Sequence, residues 1–109
     1  MTSPTIESLE KLIGTPRDGA LLRYSLGNEW LKAGDAAAAA AQLREAVIRD
    51  PAYSAAWRLL GRALAATGDQ AQALEAWRKG IAAARARGDK QAEKEMTVFA
   101  RRIEKKRPA

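Results

Sequence analysis

The sequence predicts an all-α solenoid, with helix pairs stacked into one short array of about six helices. Three observations carry that expectation. The chain resembles itself at a fixed offset: between residues 20–53 and 54–87, 8 of 34 positions are identical, among them Leu26 and Leu60, Gly27 and Gly61, and Ala39 and Ala73. The dipeptides Gly34-Asp35, Gly68-Asp69 and Gly88-Asp89 each read as a helix stop with a helix start directly after it. Large apolar residues recur at helical spacing, as in Leu22, Leu26 and Trp30 or Met96, Phe99 and Ile103.

In order, residues 3–14 read as a short helix, with Ser3 as cap and Pro4 in the first turn. Ile6, Leu9 and Ile13 form its apolar stripe, and Gly14, Pro16 and Gly19 break it from the next helix. Residues 18–33 form that helix, with Asp18 as its expected cap. Residues 35–50 form another. The run Ala36 to Ala41 reads as a close-packing face in the strongest helix former. Glu45 and Arg49 stand at ion-pair spacing, worth only ~0.3–0.5 kcal/mol. Asp50-Pro51 ends this helix, because the residue before Pro avoids helical dihedrals.

Residues 53–67 and 69–87 repeat the pair, and the second helix should run on to Gly88. Residues 89–106 form a last helix, with Ala92, Met96, Phe99 and Ile103 inward and charged residues elsewhere, a solvating cap for the array. Gly27, Gly61, Ala39 and Ala73 are small enough for close crossings, around which Leu26, Leu60, Leu43 and Trp77 fill space.

These residues resemble the tetratricopeptide repeat pattern W-x2-L-G-x2-Y, A-x3-F, P. The second unit supplies Trp57, Leu60, Gly61, Leu64, Ala73 and Trp77; the first supplies Leu26, Gly27, Trp30, Ala39, Leu43 and Pro51. Arg23 and Arg85 depart from it, where Trp and Pro are usual. The resemblance implies a single domain over 1–109, right-handed stacking, repeats at 20–53 and 54–87, and a third first-helix at 89–106, displaced by five residues. It also implies a peptide-binding concave face on the inner side of each first helix. Leu21, Tyr24, Asn28 and Leu31 fall there in the first unit, Arg58 and Arg62 in the second, and Lys94 and Arg101 in the last helix. A subset of the family grips C-terminal carboxylates, but only Asn28 and Lys94 match that set. Tyr24, Leu59 and Val98 occupy the other positions, so that recognition is not expected.

Composition narrows the function. The 109 residues hold no His and no Cys, which removes imidazole catalysis, thiol chemistry and thiolate metal sites. The glycines come singly, without a phosphate loop, and the carboxylates lie at caps or beside cations. An enzyme, a cofactor and a metal are therefore not expected. No secretory leader or apolar run of membrane-spanning length is visible, so a soluble cytoplasmic protein is expected. The net charge of +6 is concentrated at the C-terminus: residues 85–109 hold 9 Lys/Arg against 4 Asp/Glu, and residues 1–84 hold 10 against 9. The expected role is a small monomeric adaptor that takes a peptide of another protein, with an acidic segment suited to the arginines. Two alternatives stand: nucleic-acid or ribosome binding through the basic C-terminal helix, and self-association through the ends of the stack. Trp57, Trp77 and Trp30 are expected in the core.

Overall fold

Three Gly-Asp joints divide most of the chain. The computed structural model describes residues 3–106. They form α1 (Pro4–Glu10), α2 (Ala20–Lys32), α3 (Ala36–Arg49), α4 (Ser54–Ala66), α5 (Gln70–Arg87) and α6 (Lys90–Lys106). Among the described residues there is no strand. The array is therefore a lone helix, two helix pairs and a capping helix.

Each joint works the same way. Gly34 and Gly68 take φ of 86° and 90°, a left-handed backbone that side-chain-bearing residues resist. At the first joint Gly34 N–H reaches Leu31 O and Asp35 N–H reaches Trp30 O, both at 3.0 Å. That pair of bonds closes the helix in a Schellman motif. The Asp35 carboxylate then accepts from Ala38 N–H at 3.0 Å and opens α3. Asp69 and Asp89 do the same for α5 and α6, accepting from Gln72 N–H and Ala92 N–H, each at 3.1 Å. Only the two or three cap residues separate the helices at these joints.

The joints bring apolar faces together at tight crossings. α2 packs on α3, α4 on α5, and α5 on α6. Gly27 lies against Leu43 and Gly61 against Trp77. A Cβ on Gly61 would stand inside the Trp77 indole. Trp77 is 5% exposed, and its Nε1–H donates to Arg58 O at 3.1 Å, so its polar atom is satisfied within the core. Gly80 makes a third close approach, to Met96 and Trp57, that the residue pattern did not single out.

The core divides unequally. One large cluster runs from α3 to α6 around Leu43, Leu60, Trp77 and Met96. A smaller one joins Ile6 to Leu22 and Leu26, with Trp30 packed against both. α6 is fastened on α5 by Phe99 against Trp77, with ring centroids 5.2 Å apart. Two ion pairs add to this, Arg85–Glu93 at 2.9 Å and Arg78–Glu104 at 3.0 Å. Without a proline at 85, α5 reaches 18 residues against 14 for α3.

Three expectations need correction. α1 ends at Glu10 instead of 14, because the next turn tightens (Ile13 N–H bonds Glu10 O at 3.1 Å) and Gly14 turns left-handed. Ile13 consequently leaves the stripe and is exposed, while Leu12 packs beside Ile6. Asp18 is not a cap; Gly19 takes that place with no side-chain bond. The Asp18 carboxylate instead takes the Arg23 fork, at 2.8 and 3.0 Å, and Gly14 N–H at 2.9 Å. Trp57 and Trp30 are only half-buried, at the edge of the core.

Asp18 and Arg23 are 10% and 12% exposed. The Arg23 hydrogen bond first, then Gly14 N–H, hold the Asp18 carboxyl far below the usual carboxylate range, and Arg49 at 3.7 Å adds to this. Asp18 in turn raises the Arg23 pKa. A carboxyl depressed in the folded state stabilises above its unfolded value, about 3.9, and loses that contribution as pH falls. Thermal melts of wild type and Asp18→Asn should differ most near neutral pH; the gap should begin to narrow below about pH 4 and close only as pH falls through the much lower folded value. Equal gaps at both ends would show that the ion pair contributes nothing. Gly61→Ala should cost about 1–3 kcal/mol in urea unfolding, as overpacking does. An unchanged midpoint would mean the crossing is loose.

Candidate functional site

The inner-face candidates sit where α2, α4 and α6 leave side chains uncovered. On α4, each residue turns about 100° around the axis. Leu60 and Leu64 face the core, so Arg58 and Arg62 turn away from it together. Arg62 is exposed and Arg58 half-buried. On α2, Leu21 is 69% exposed, while Tyr24, Asn28 and Leu31 are half-buried. Tyr24 and Leu31 also pack against the main core, so only part of each is available as a shelf.

Tyr24 is steadied by Tyr53, with ring centroids 5.0 Å apart at 32°. Burial pushes the Tyr53 hydroxyl pKa up, with Tyr24 and Asp50 adding to it. Tyr53 precedes the first residue of α4, so this stack ties α2 to the start of the next pair. Register alone did not show Tyr53 as part of the surface. Its signal in the sequence was its place just after the Asp50-Pro51 break.

On α6, Lys94 and Arg101 share one shallow groove with Thr97 and Val98, about 490 Å³ in volume. Both cations are exposed. Leu21, Tyr24, Asn28 and Leu31 share one helix, and Arg58 with Arg62 another, while Lys94 and Arg101 form a separate cationic line.

The electrostatics divide the cations into two sets. Every Lys or Arg of α2, α3 and α5 has a hydrogen-bond or ion-pair partner: Arg23, Lys32, Arg44, Arg49, Arg78, Lys79, Arg85 and Arg87. The side chains of Arg58 and Arg62 of α4 have none among the described residues, nor do those of Lys90, Lys94, Arg101, Arg102, Lys105 and Lys106 of α6. The acids of α6 are engaged elsewhere: Glu93 and Glu104 reach α5, and Glu95 accepts from Gln91 at 3.3 Å. Among the described residues no group of three acids could hold a metal ion. No helix there is long and apolar enough to cross a membrane.

Known proteins share this architecture. Residues 20–104 match the family model of the Bacterial transcriptional activator domain, a TPR-like helical domain. A TPR repeat-containing protein of Pseudomonas aeruginosa is 54% identical over 102 residues, covering 94% of this chain and 97% of its own. The solution structure of a Bordetella parapertussis protein superposes with a TM-score of 0.78 at 42% identity, over 96% of this chain and 90% of that one. A tetratricopeptide repeat domain protein from Salinibacter ruber gives 0.76 at 27% identity, over 83% and 100%. With the repeat residues at the helix crossings and a relative alike along nearly its whole length, the chain belongs to the tetratricopeptide repeat family.

Proposed function

We propose that the protein is an interaction module whose inner face takes an acidic segment of another protein. One observation carries the reading. Arg58 and Arg62 stand one turn apart on α4 without a counter-ion among the described residues, in a chain that pairs its cations on α2, α3 and α5. Like charges at this spacing repel mildly, and a bound carboxylate removes the repulsion. A guanidinium fork also fits a carboxylate with two parallel bonds. Tyr24, Leu31 and the exposed Leu21 offer apolar surface for the rest of the segment, and Asn28 offers an amide to its backbone. Lys94 and Arg101 extend the cationic character along α6. Solvent-exposed ion pairs contribute only about 0.2–1 kcal/mol each, so the arginines set the preference for an acidic segment while the apolar shelf supplies most of the affinity of a weak, reversible complex.

A second reading draws on the same observation. The unpaired Lys90, Lys94, Arg101 and Lys105 of α6 suit a phosphate backbone as well as a carboxylate. Base stacking lacks a platform there, because Phe99 is packed on Trp77. The protein reading is therefore preferred.

The test is a pull-down from host lysate with and without nuclease, comparing wild type with Arg58→Glu/Arg62→Glu. The expected result is a protein bound by wild type, indifferent to nuclease, and at least about tenfold weaker with the double variant. A nuclease-sensitive catch that survives the double variant would transfer the function to α6 and nucleic acid.

A further inference from the structure

A second surface lies on another side of α4. Trp57 stands five residues before Arg62, about 140° around the helix at about 100° per residue. Its ring floors a furrow between α3 and α5, two helices that do not pack on each other. At one end Arg44 of α3 bonds Gln72 of α5 across the furrow. Beyond Trp57 the furrow opens into a hollow of about 520 Å³. One wall is the α3–α4 turn, Pro51 and Ala52; the other is Ala82, Ala83 and Ala86 of α5. The far end is crossed by Arg87, whose Nη1 donates to Ala52 O at 3.3 Å.

Three features make this hollow receptive. The Trp57 ring is fixed, since its Nε1–H donates to Pro51 O at 2.8 Å. Its indole is only half-buried, so part of the ring remains open to the furrow. The alanine wall is low, which leaves room for an incoming apolar side chain. That wall exists because α5 runs to Arg87 without a proline at 85.

The rim selects the occupant. Arg44, Lys79 and Arg87 border the furrow, and Glu75 is the only acid with them among its lining residues. Lys79 lies 5.7 Å from the Trp57 ring centre and shares its charge with Glu75 at 3.2 Å. Arg87 holds only the Ala52 carbonyl and meets no acid among the described residues. Two of the four large apolar side chains that a second copy would expose, Ile48 beside Arg44 and Arg49, and Val98 beside Lys94, Arg101 and Arg102, would bring cations to a cationic rim, so an acidic segment of another protein suits it better.

We propose that this furrow is a second docking surface for an acidic, apolar-bearing segment of another protein, with an apolar side chain on Trp57 and a carboxylate on Arg87. It is independent of the inner face, and the two surfaces allow one molecule to hold two segments at once.

The probe is a short synthetic peptide with a Leu-Phe centre flanked by aspartates, titrated into ¹⁵N-labelled full-length protein. The control peptide carries Lys in place of each Asp. The acidic peptide should shift the Trp57 indole N–H and the amides of Ala52, Ala83, Ala86 and Arg87, saturably. Arg87→Glu or the surface change Ala86→Glu should weaken the titration about tenfold or more, while Arg58→Glu/Arg62→Glu should leave it unchanged. Four outcomes would overturn the proposal: no saturable shift, equal shifts with the lysine peptide, shifts confined to α2 and Arg58–Arg62, or indifference to Arg87→Glu. The same shifts produced by raising the protein concentration alone would assign the furrow to a second copy and equally overturn it.

Discussion

Everything else in the molecule depends on one aspartate doing two jobs. At each Gly-Asp joint the backbone N–H of Asp closes the helix before it, and its carboxylate opens the helix after it. A free linker would let two helices choose many angles, at a conformational cost of roughly 1–2 kcal/mol for each residue then fixed. Here only two or three cap residues stand between the helices, and their own hydrogen bonds fix them. The angle is set locally, and the crossings of Gly27 on Leu43 and Gly61 on Trp77 close on a geometry that already exists. Local preference and tertiary packing agree, which is what gives a sequence one structure.

The fold was legible because its determinants are local or periodic. Gly61 and Trp77 lie sixteen residues apart, as do Gly27 and Leu43, so the repeat itself announced both crossings. What escaped was settled across the chain. Asp18 looks like a cap in sequence, but Arg23 and Gly14 converge on it in space, and Arg23 continues to Gln42 at 3.0 Å. That polar network fills the position where the family pattern places a tryptophan. Ile13 left its stripe because Gly14 turned the chain first. Gly80 could have been found: it aligns with Ala46 in the repeat, and two small residues at equivalent places mark a close approach.

The candidate surfaces were legible to different degrees. Helical register identified Arg58 and Arg62 as partners on one face, because 3.6 residues per turn is enough for that. It could not reveal that they lack counter-ions. That depends on where the acids of α6 point, and Glu93 and Glu104 are drawn to Arg85 and Arg78 of α5. Trp57 was harder still. Its signature position suggested burial, and its partial exposure stems from α3 and α5 standing apart, a separation no periodicity encodes.

The smaller cluster at the N-terminal end is attached differently from the rest. α1 packs on α2 alone, and Ile6 is the one of its side chains that is fully enclosed. A helix of 7 residues has no stability of its own in water. The free energy that keeps α1 in place is thus local, and α1 can detach while the joints and the crossings of α3 to α6 stay intact. The molecule then has two opening energies. In native-state hydrogen exchange the amides of α1 should exchange well ahead of those of α4, and each opening would uncover Leu22 and Leu26 as a transient apolar socket.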